Sequence, residues 1–576
     1  MKSYNFACQN QIIMKKQYVT LLALLVLTAG YSCAQKEQKK EITTSALEQV
    51  VITSDSTFTA QRKVTAHMTV GNYDGSIGIK LRGNSSLSFN QKKYTIELRD
   101  EQGKDVDASL LGMPAHSDWV LLAPYNDVSA VRDPLAFQLW RNMGHWGPRT
   151  RMVELVLNGE YQGIYILSEA IKRGQDRVNI PKMKKTDVAG LDVTGGYILR
   201  IDAYDQDDAT FPSKVPGIGK GSMTSQITWS CIYPKKKKLQ PEQLAYIQSF
   251  VDSMEQAIQS DYFTDPQRGY AHFIDVPSFV DYFIHTELSL NADGYKRSAY
   301  FYKEKQQADG TGGKLVAGPV WDYNLAYGNC NFCNADNPEA WCFEGGNTQP
   351  TPAFWQRLLQ DPAFRKAVKV RYKALRKDVL SNKAIHDYID RHAKLLAPVV
   401  AHHFETYPEL LVSPTAQQGN DGRNGRPQQM QNGFPGMGRF GSMAPPPGFG
   451  GMTPPPGFGG MVPPESSSDS LRMTPPPGFG GMTPPQGFGG FGGFGGFGGF
   501  PGFGGFGGDA ISWFAAYRVS SYDEEITVLK KWLDNRLTFL DKNIERFDKD
   551  WEPNIQVPTE KTMPQFNGGF PFQFPF

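Results

Sequence analysis

The sequence predicts an α+β protein with a β-rich N-terminal half and a helical C-terminal half, on three observations. Residues 48–100 alternate apolar and polar side chains in short runs such as "ALEQVVITSDS" and "KKYTIELRD", separated by polar turns. That is the period of strands with one buried face. The stretch "RMVELVLNGEYQGIYILSEAI" sets Asn158-Gly159 between two apolar runs, and Asn-Gly readily takes the left-handed conformations of a tight hairpin. From Pro241 onward, apolar residues recur at helical spacing, beginning with Leu244, Ile247, Val251, Met254 and Ile258.

The elements follow in order. The first runs make a small antiparallel sheet. Asp127 or Ser129 then caps a helix that carries Val131, Leu135, Leu139 and Met143 on one stripe, and Gly144 stops it. The Asn-Gly hairpin and the strand "GGYILRID" come next. Pro241 opens the long helix, "DVPSFVDYFIHTELSLNADGY" is a second with a polar end, and "TPAFWQRLLQDPAFRKAVKVRYKALRKDVL" and "IHDYIDRHAKLLAPVVAHHF" are further helices.

Residues 413–508 have another character. The unit "PPPGFGGM" recurs and decays into Phe-Gly-Gly triplets. Such a composition cannot offset its ordering entropy by burial, so disorder is expected. Beyond it, Ser521 and Glu524 form a capping box, and Ile526, Leu529, Leu533, Leu540, Ile544 and Phe547 form one apolar stripe. The repeat therefore reads as an insertion, residues 509–552 as the completion of a domain begun at 48–412, and residues 553–576 as a disordered tail.

At the N-terminus, Lys15-Lys16 precedes an apolar stretch too short for a stable span and then small residues around Cys33. Residues 1–35 read as an export signal and 36–47 as a polar tether. Cys33 is the expected lipid attachment point of an outer or cell-surface lipoprotein; cleavage after Ala34, giving a secreted or periplasmic protein, is the competing reading. In an oxidising compartment Cys231, Cys330, Cys333 and Cys342 are expected to form structural disulfides rather than a zinc site. The formal net charge is only +2, so no nucleic-acid partner is expected. The run Lys235–Lys238 reads as a solvated approach to the next helix.

HExxH, GxSxG, Walker-type and EF-hand patterns are absent from the sequence. What remains is a set of single residues at element ends. Asp322 sits in "KLVAGPVWDYNLAYGN", a charge among apolar neighbours that needs a partner, a hydrogen bond or a metal. Asn291 and Asp293 end an apolar helix, and upstream lie Arg82 and the strand lysines Lys92 and Lys93. Phosphoryl transfer needs such a set: cations for phosphates, an acid for a divalent metal and an acid to orient the accepting hydroxyl. Each has a plainer reading as a structural acid, a helix end or a solvent-side lysine.

The segments "IKLRGNSSLSFNQKKYTIEL", "NDVSAVRDPLAFQL", "LNGEYQGIYILSEAI", "FIHTELSLNADGYKRSAYFYK" and "GPVWDYNLAYGN" resemble the CotH family, the spore-coat-H-type atypical kinases. The resemblance implies a divergent protein-kinase-like two-lobed fold that binds ATP with Mg2+ and phosphorylates Ser or Thr of secreted or surface proteins. It gives Asp293 the catalytic role, Asp322 the metal-binding role, and Lys93 or Lys92 the phosphate contact; Asn291, as a substitute, and Asn324 are the further candidate metal ligands. Arg82 and Glu169 join the expected nucleotide site; Glu169 reads equally as a strand-end charge, and Arg132 as a phosphate contact or a cap. Trp321 either stacks on adenine or fills the core. Two departures stand out. Ser298 occupies the place of a metal-binding Asn, and Asn324 that of a second acid. They favour the alternative, a catalytically inactive surface scaffold or adhesion protein.

Overall fold

A computed structural model of the chain describes residues 47–202, 208–219, 224–344, 350–412, 515–549 and 551. The signal, nearly all of the tether, the Pro/Gly/Phe repeat and the tail lie outside the described residues.

The first part is a closed barrel. Its strands are β1 (Glu48–Thr53), β2 (Val64–Val70), β3 (Tyr73–Arg82), β4 (Lys93–Arg99), β5 (Asp118–Leu122), β6 (Thr150–Leu157) and β7 (Glu160–Glu169). Neighbours pair antiparallel in the order β1-β2-β3-β4-β5-β7-β6, and β6 closes on β1 in parallel. The small open sheet expected over 48–100 is thus only part of the barrel, because β1 finds its second partner a hundred residues downstream. The hairpin between β6 and β7 turns at Asn158 (φ +51°) and Gly159 (φ +82°), as the Asn-Gly pair requires.

Alternation along the strands sends side chains into two cores. Ile96, Trp119, Leu121, Val153, Leu155, Tyr165 and Leu167 fill the barrel. Their neighbours Val120, Leu122, Met152, Ile164 and Ile166 face the helical part, as the two-residue period dictates.

Helix α1 (Arg132–Asn142) lies between β5 and β6 in sequence. Val131, Leu135, Leu139 and Met143 are buried. The helix begins later than expected, with Val131 rather than Asp127 or Ser129 at the N-cap position; Asp127 Oδ2 still accepts from Arg132 N at 3.0 Å, and Ser129 Oγ accepts from Val131 N at 3.1 Å in the turn before the helix. Next come β8 (Tyr197–Ile201), β9 (Ala209–Pro212), β10 (Gly217–Ile218), β11 (Thr224–Ser225), β12 (Thr228–Tyr233), β13 (Ala299–Lys303), β14 (Leu315–Ala317) and β15 (Thr351–Pro352). They form a five-stranded sheet, β14-β13-β8-β12-β9, and a small sheet, β11-β10-β15.

The remaining helices are α2 (Pro241–Gln259), α3 (Tyr270–Phe273), α4 (Val276–Ser289), α5 (Ala353–Leu358), α6 (Pro362–Arg376), α7 (Asn382–Leu396), α8 (Val400–Thr406) and α9 (Tyr522–Ile544). Helix α4 is central: Phe279, Phe283, Ile284, His285, Glu287 and Leu288 are all buried, and it contacts α1, α6, α9 and β14. A helix buried on every side lies inside a core, and its polar side chains need partners there: Glu287 accepts from the Tyr295 hydroxyl at 2.9 Å and Asp281 from Arg371 Nε at 2.8 Å. Helix α9 buries Leu529, Leu533, Leu537 and Leu540 in that same core, and Ser521 Oγ caps it by accepting from Glu524 N. No helix among the described residues is long and apolar enough to cross a membrane.

The expected disulfides are absent. All four cysteines among the described residues are free. Cys231 is buried in the middle of β12, where Ala209 of β9 and Leu199 of β8 are its lateral partners. Cys342 has Sγ on Asn291 O at 3.4 Å, and Cys333 Sγ lies 3.8 Å from Lys296 Nζ.

Candidate active site

Asp322 stands in the loop after β14, five residues beyond its end. Gly318 opens this loop at φ +100°, where a Cβ would come within 2.5 Å of the Trp140 ring, so the chain can leave the strand there only without a side chain. The residues on either side of Asp322 are pinned. Trp321 stacks on Phe137 (centroids 5.6 Å apart), with the Arg82 guanidinium 5.2 Å from its ring centroid. Tyr323 N donates to Asp133 Oδ1 at 2.6 Å, and the Tyr323 hydroxyl lies 3.2 Å from His285 Nδ1. Asp322 itself is left-handed, φ +65°. Its side chain therefore projects from a fixed frame and keeps about a third of its surface accessible.

The partner is Lys93. Its Nζ lies 3.7 Å from Asp322 Oδ1, and the lysine is 7% exposed. Lys93 begins β4 directly opposite Arg82 of β3, so the two cations share one face of the barrel rim. Lys92 points elsewhere: its Nζ donates to Leu87 O and Phe89 O at 2.8 and 2.5 Å, holding the turn before the strand. Glu169 is also engaged elsewhere. Arg149 N donates to it at 2.8 Å, and the Arg149 and Arg177 guanidinium groups lie 2.9 and 3.6 Å away.

Helix α4 ends at Leu290 (φ +43°), and the next loop carries Asn291 and Asp293. Asn291 ties the two loops together, donating from Nδ2 to Asp322 O at 3.3 Å and accepting at Oδ1 from Asp293 N at 3.2 Å. Burial pushes the Asp293 carboxyl up to about 6, and the charge of Asp322 adds to the rise. Asn324 donates to Asn126 Oδ1 at 2.8 Å, leaving its amide oxygen as the end that could meet a metal. Ser298 Oγ is directed at Asp202 Oδ2, 3.5 Å away. Leu290, Tyr295, Ser298, Asp322 and Tyr327, none of them glycine, all have positive φ. Backbone strain of this kind gathers where a site over-determines its loops.

Trp321 is 5% exposed and packed in the core. Arg132 is wholly buried, bonded to Asp127 Oδ1 (2.5 Å), Glu525 Oε1 (2.6 Å) and the Tyr517 hydroxyl (2.7 Å). It joins the chain after the repeat to α1.

The acid that sequence reasoning passed over is Asp133. Buried at the start of α1, it is pushed up to about 7 by burial and then by the charge of Asp322, with Lys93 opposing. The charge of Asp322 thus bears on both Asp133 and Asp293, with Lys93 opposing it at Asp133 and Arg297 and Lys296 opposing it at Asp293. Among the described residues no three His, Cys, Asp or Glu side chains converge closely enough to cage a metal. A magnesium ion that takes one or two carboxylates and completes its shell with phosphate and water fits this donor set; an all-protein cage does not.

A lysine on a strand facing an acid on a left-handed loop, with a second acid on the loop after a buried helix, can be set beside known proteins. The family model described as CotH kinase protein matches residues 79–431. The chain belongs to the CotH family. Inner spore coat protein H of Bacillus subtilis (strain 168) is 22% identical to this CotH-family chain over 351 residues, 61% of the chain and 82% of that protein. The matched stretch of the CotH model takes in Arg82, Lys93, Asp133, Asp293 and Asp322.

Proposed function

We propose that this CotH-family chain is an exported protein kinase of divergent two-lobed architecture that transfers the γ-phosphoryl group of ATP to Ser or Thr hydroxyls of secreted or surface proteins. The observation that carries the reading is the Lys93–Asp322 pair at 3.7 Å. Lys93 and Arg82 supply positive charge for the phosphates of the substrate nucleotide. Asp322, with the Asn324 amide oxygen near it, would hold Mg2+, and the ion supplies charge neutralisation on the phosphate oxygens. Asp293 orients the accepting hydroxyl and takes its proton, a task suited to a carboxylate raised to about 6. Asn291 keeps the Asp293 and Asp322 loops in register. The name of the Bacillus relative, a spore coat protein, supports a surface location.

A non-catalytic scaffold is the second reading, favoured by Ser298 and Asn324, which bring no second carboxylate. Calorimetric titration of ATP with and without Mg2+, on the parent and on Asp322→Ala, separates the two. Metal-dependent binding that the variant loses supports the kinase. Absence of binding in the parent leaves the scaffold.

A further inference from the structure

Two basic segments distant in sequence meet around Tyr233. Its hydroxyl accepts from Met183 N at 3.2 Å, and the Arg173 guanidinium stands 5.8 Å from its ring centroid. Gln243 Nε2 completes the join by donating to Lys184 O and Asp187 O at 2.7 and 3.1 Å. The first segment carries Lys172, Arg173, Lys182, Lys184 and Lys185; the second carries Lys235–Lys238. Lys172 and Lys235 are near enough to repel. All but the half-buried Lys172 and Arg173 are exposed, and the acids in and beside the two segments are Asp176, Asp187, Asp192, which pairs with Lys305 at 2.6 Å, and Glu242. Asp118 also pairs with Lys172 at 3.2 Å. In a protein whose formal charge is only +2, these two segments bring these nine cationic side chains to one region.

That face also bears apolar side chains. Val188 and Leu191 are 36% and 43% exposed, at and just before the single turn Gly190–Thr194, which packs against α2. Lysines alone would suit any polyanion. Protruding apolar groups among lysines match a surface where a layer of anionic headgroups gives way to acyl chains.

We propose that this face docks on an anionic lipid surface. Should Cys33 carry the lipid that the sequence predicts, the two attachments act together, because a single acyl chain holds only reversibly and a polybasic face is the usual second contact. The lysine run before α2 is then more than a solvated approach to a helix. The inference is independent of whether the chain transfers phosphate.

The test is flotation of the full chain with vesicles of phosphatidylcholine alone or with about a third phosphatidylglycerol. The apolar N-terminal stretch and its flanking lysines are the same in parent and variants, so partition coefficients taken at sub-saturating lipid are compared between proteins as well as between vesicles. The expected anionic-over-neutral ratio is about tenfold or more at low salt, collapsing at high salt. The triple variant Lys235→Ser, Lys237→Ser, Lys238→Ser should bring it near one. The pair Val188→Ser, Leu191→Ser should weaken anionic binding while keeping its salt dependence. These side chains are exposed, so an unchanged melting temperature shows that the variants fold. A parent ratio near one, or a triple variant that binds like the parent, overturns the proposal. So does a Val188/Leu191 variant at full affinity whose binding poly-glutamate abolishes, an outcome that assigns the face to an acidic polypeptide.

Discussion

Lys93 and Asp322 face each other at 3.7 Å across the gap between the barrel rim and the loop after β14. Neither is otherwise ion-paired among the described residues. A double-mutant cycle on Lys93→Met and Asp322→Asn should show a coupling of about 0.5–3 kcal/mol in Mg·ATP binding. Lys93→Met, which keeps the length of the buried stem, should lower phosphoryl transfer by about a hundredfold or more. Additive effects in the cycle would mean that the two side chains serve separate purposes.

Asp133 is a positioning residue. Its Oδ1 holds Tyr323 N, and so the backbone beside Asp322. Asp133→Asn preserves a carbonyl acceptor and should retain most Mg·ATP affinity, whereas Asp133→Ala frees Tyr323 and should lose about tenfold. Equal losses in the two variants would show that the charge of Asp133 matters rather than its hydrogen bond.

Asp293, raised to about 6, accepts a proton only when ionised. The turnover rate should therefore fall about tenfold per pH unit below pH 6 and level off above it. Asp293→Asn should abolish that limb together with most of the activity. A parent profile flat from pH 5 to 8 would remove Asp293 from proton transfer.

Much of this arrangement was written in the chain. The stripe on α9, the Asn-Gly hairpin and the conflict of a charge at Asp322 with its apolar setting are local signals, and the structure places each where the local physics puts it. The choice between Lys92 and Lys93 was also legible: Tyr94, Ile96 and Leu98 point into the barrel, so a two-residue period turns Lys93 to the opposite face. Barrel closure was not, because the parallel pairing of β1 with β6 leaves no mark on either strand alone. Asp133 was hidden for a related reason: an acid in the first turn of a helix looks like an ordinary favourable charge, and only the approach of the Asp322 loop gives it another role.

Arg132 is the buried tie between the two parts of the domain that flank the repeat. Arg132→Leu would leave Asp127 and Glu525 buried without their cation, at a cost of about 3–5 kcal/mol. The variant should melt lower and expose α9 to protease first. If Arg132 instead contacted phosphate, ATP affinity would fall while stability held.

His403 gives a stability prediction whose sign can be worked out. Its Nδ1 accepts from Ile164 N at 3.2 Å, and it lies so close on β7 that a Cβ on Gly163 would meet it at 2.5 Å. Burial depresses its pKa to about 4, with Glu409 opposing and His402 adding to the depression. The unfolded chain, with histidine near 6.5, binds a proton that the folded chain refuses. Stability from this group is therefore full above about pH 6.5 and is lost as pH falls toward 4. Between pH 7 and 5 the loss from His403 alone should be about 2 kcal/mol. His285, buried and likewise depressed to about 4, adds in the same direction. Denaturant unfolding of the parent and of His403→Gln at both pH values isolates the term: the variant should start less stable at pH 7 and lose less on acidification. Parallel losses in the two proteins would show that His403 is already protonated in the folded state at pH 5, with the Ile164 hydrogen bond broken.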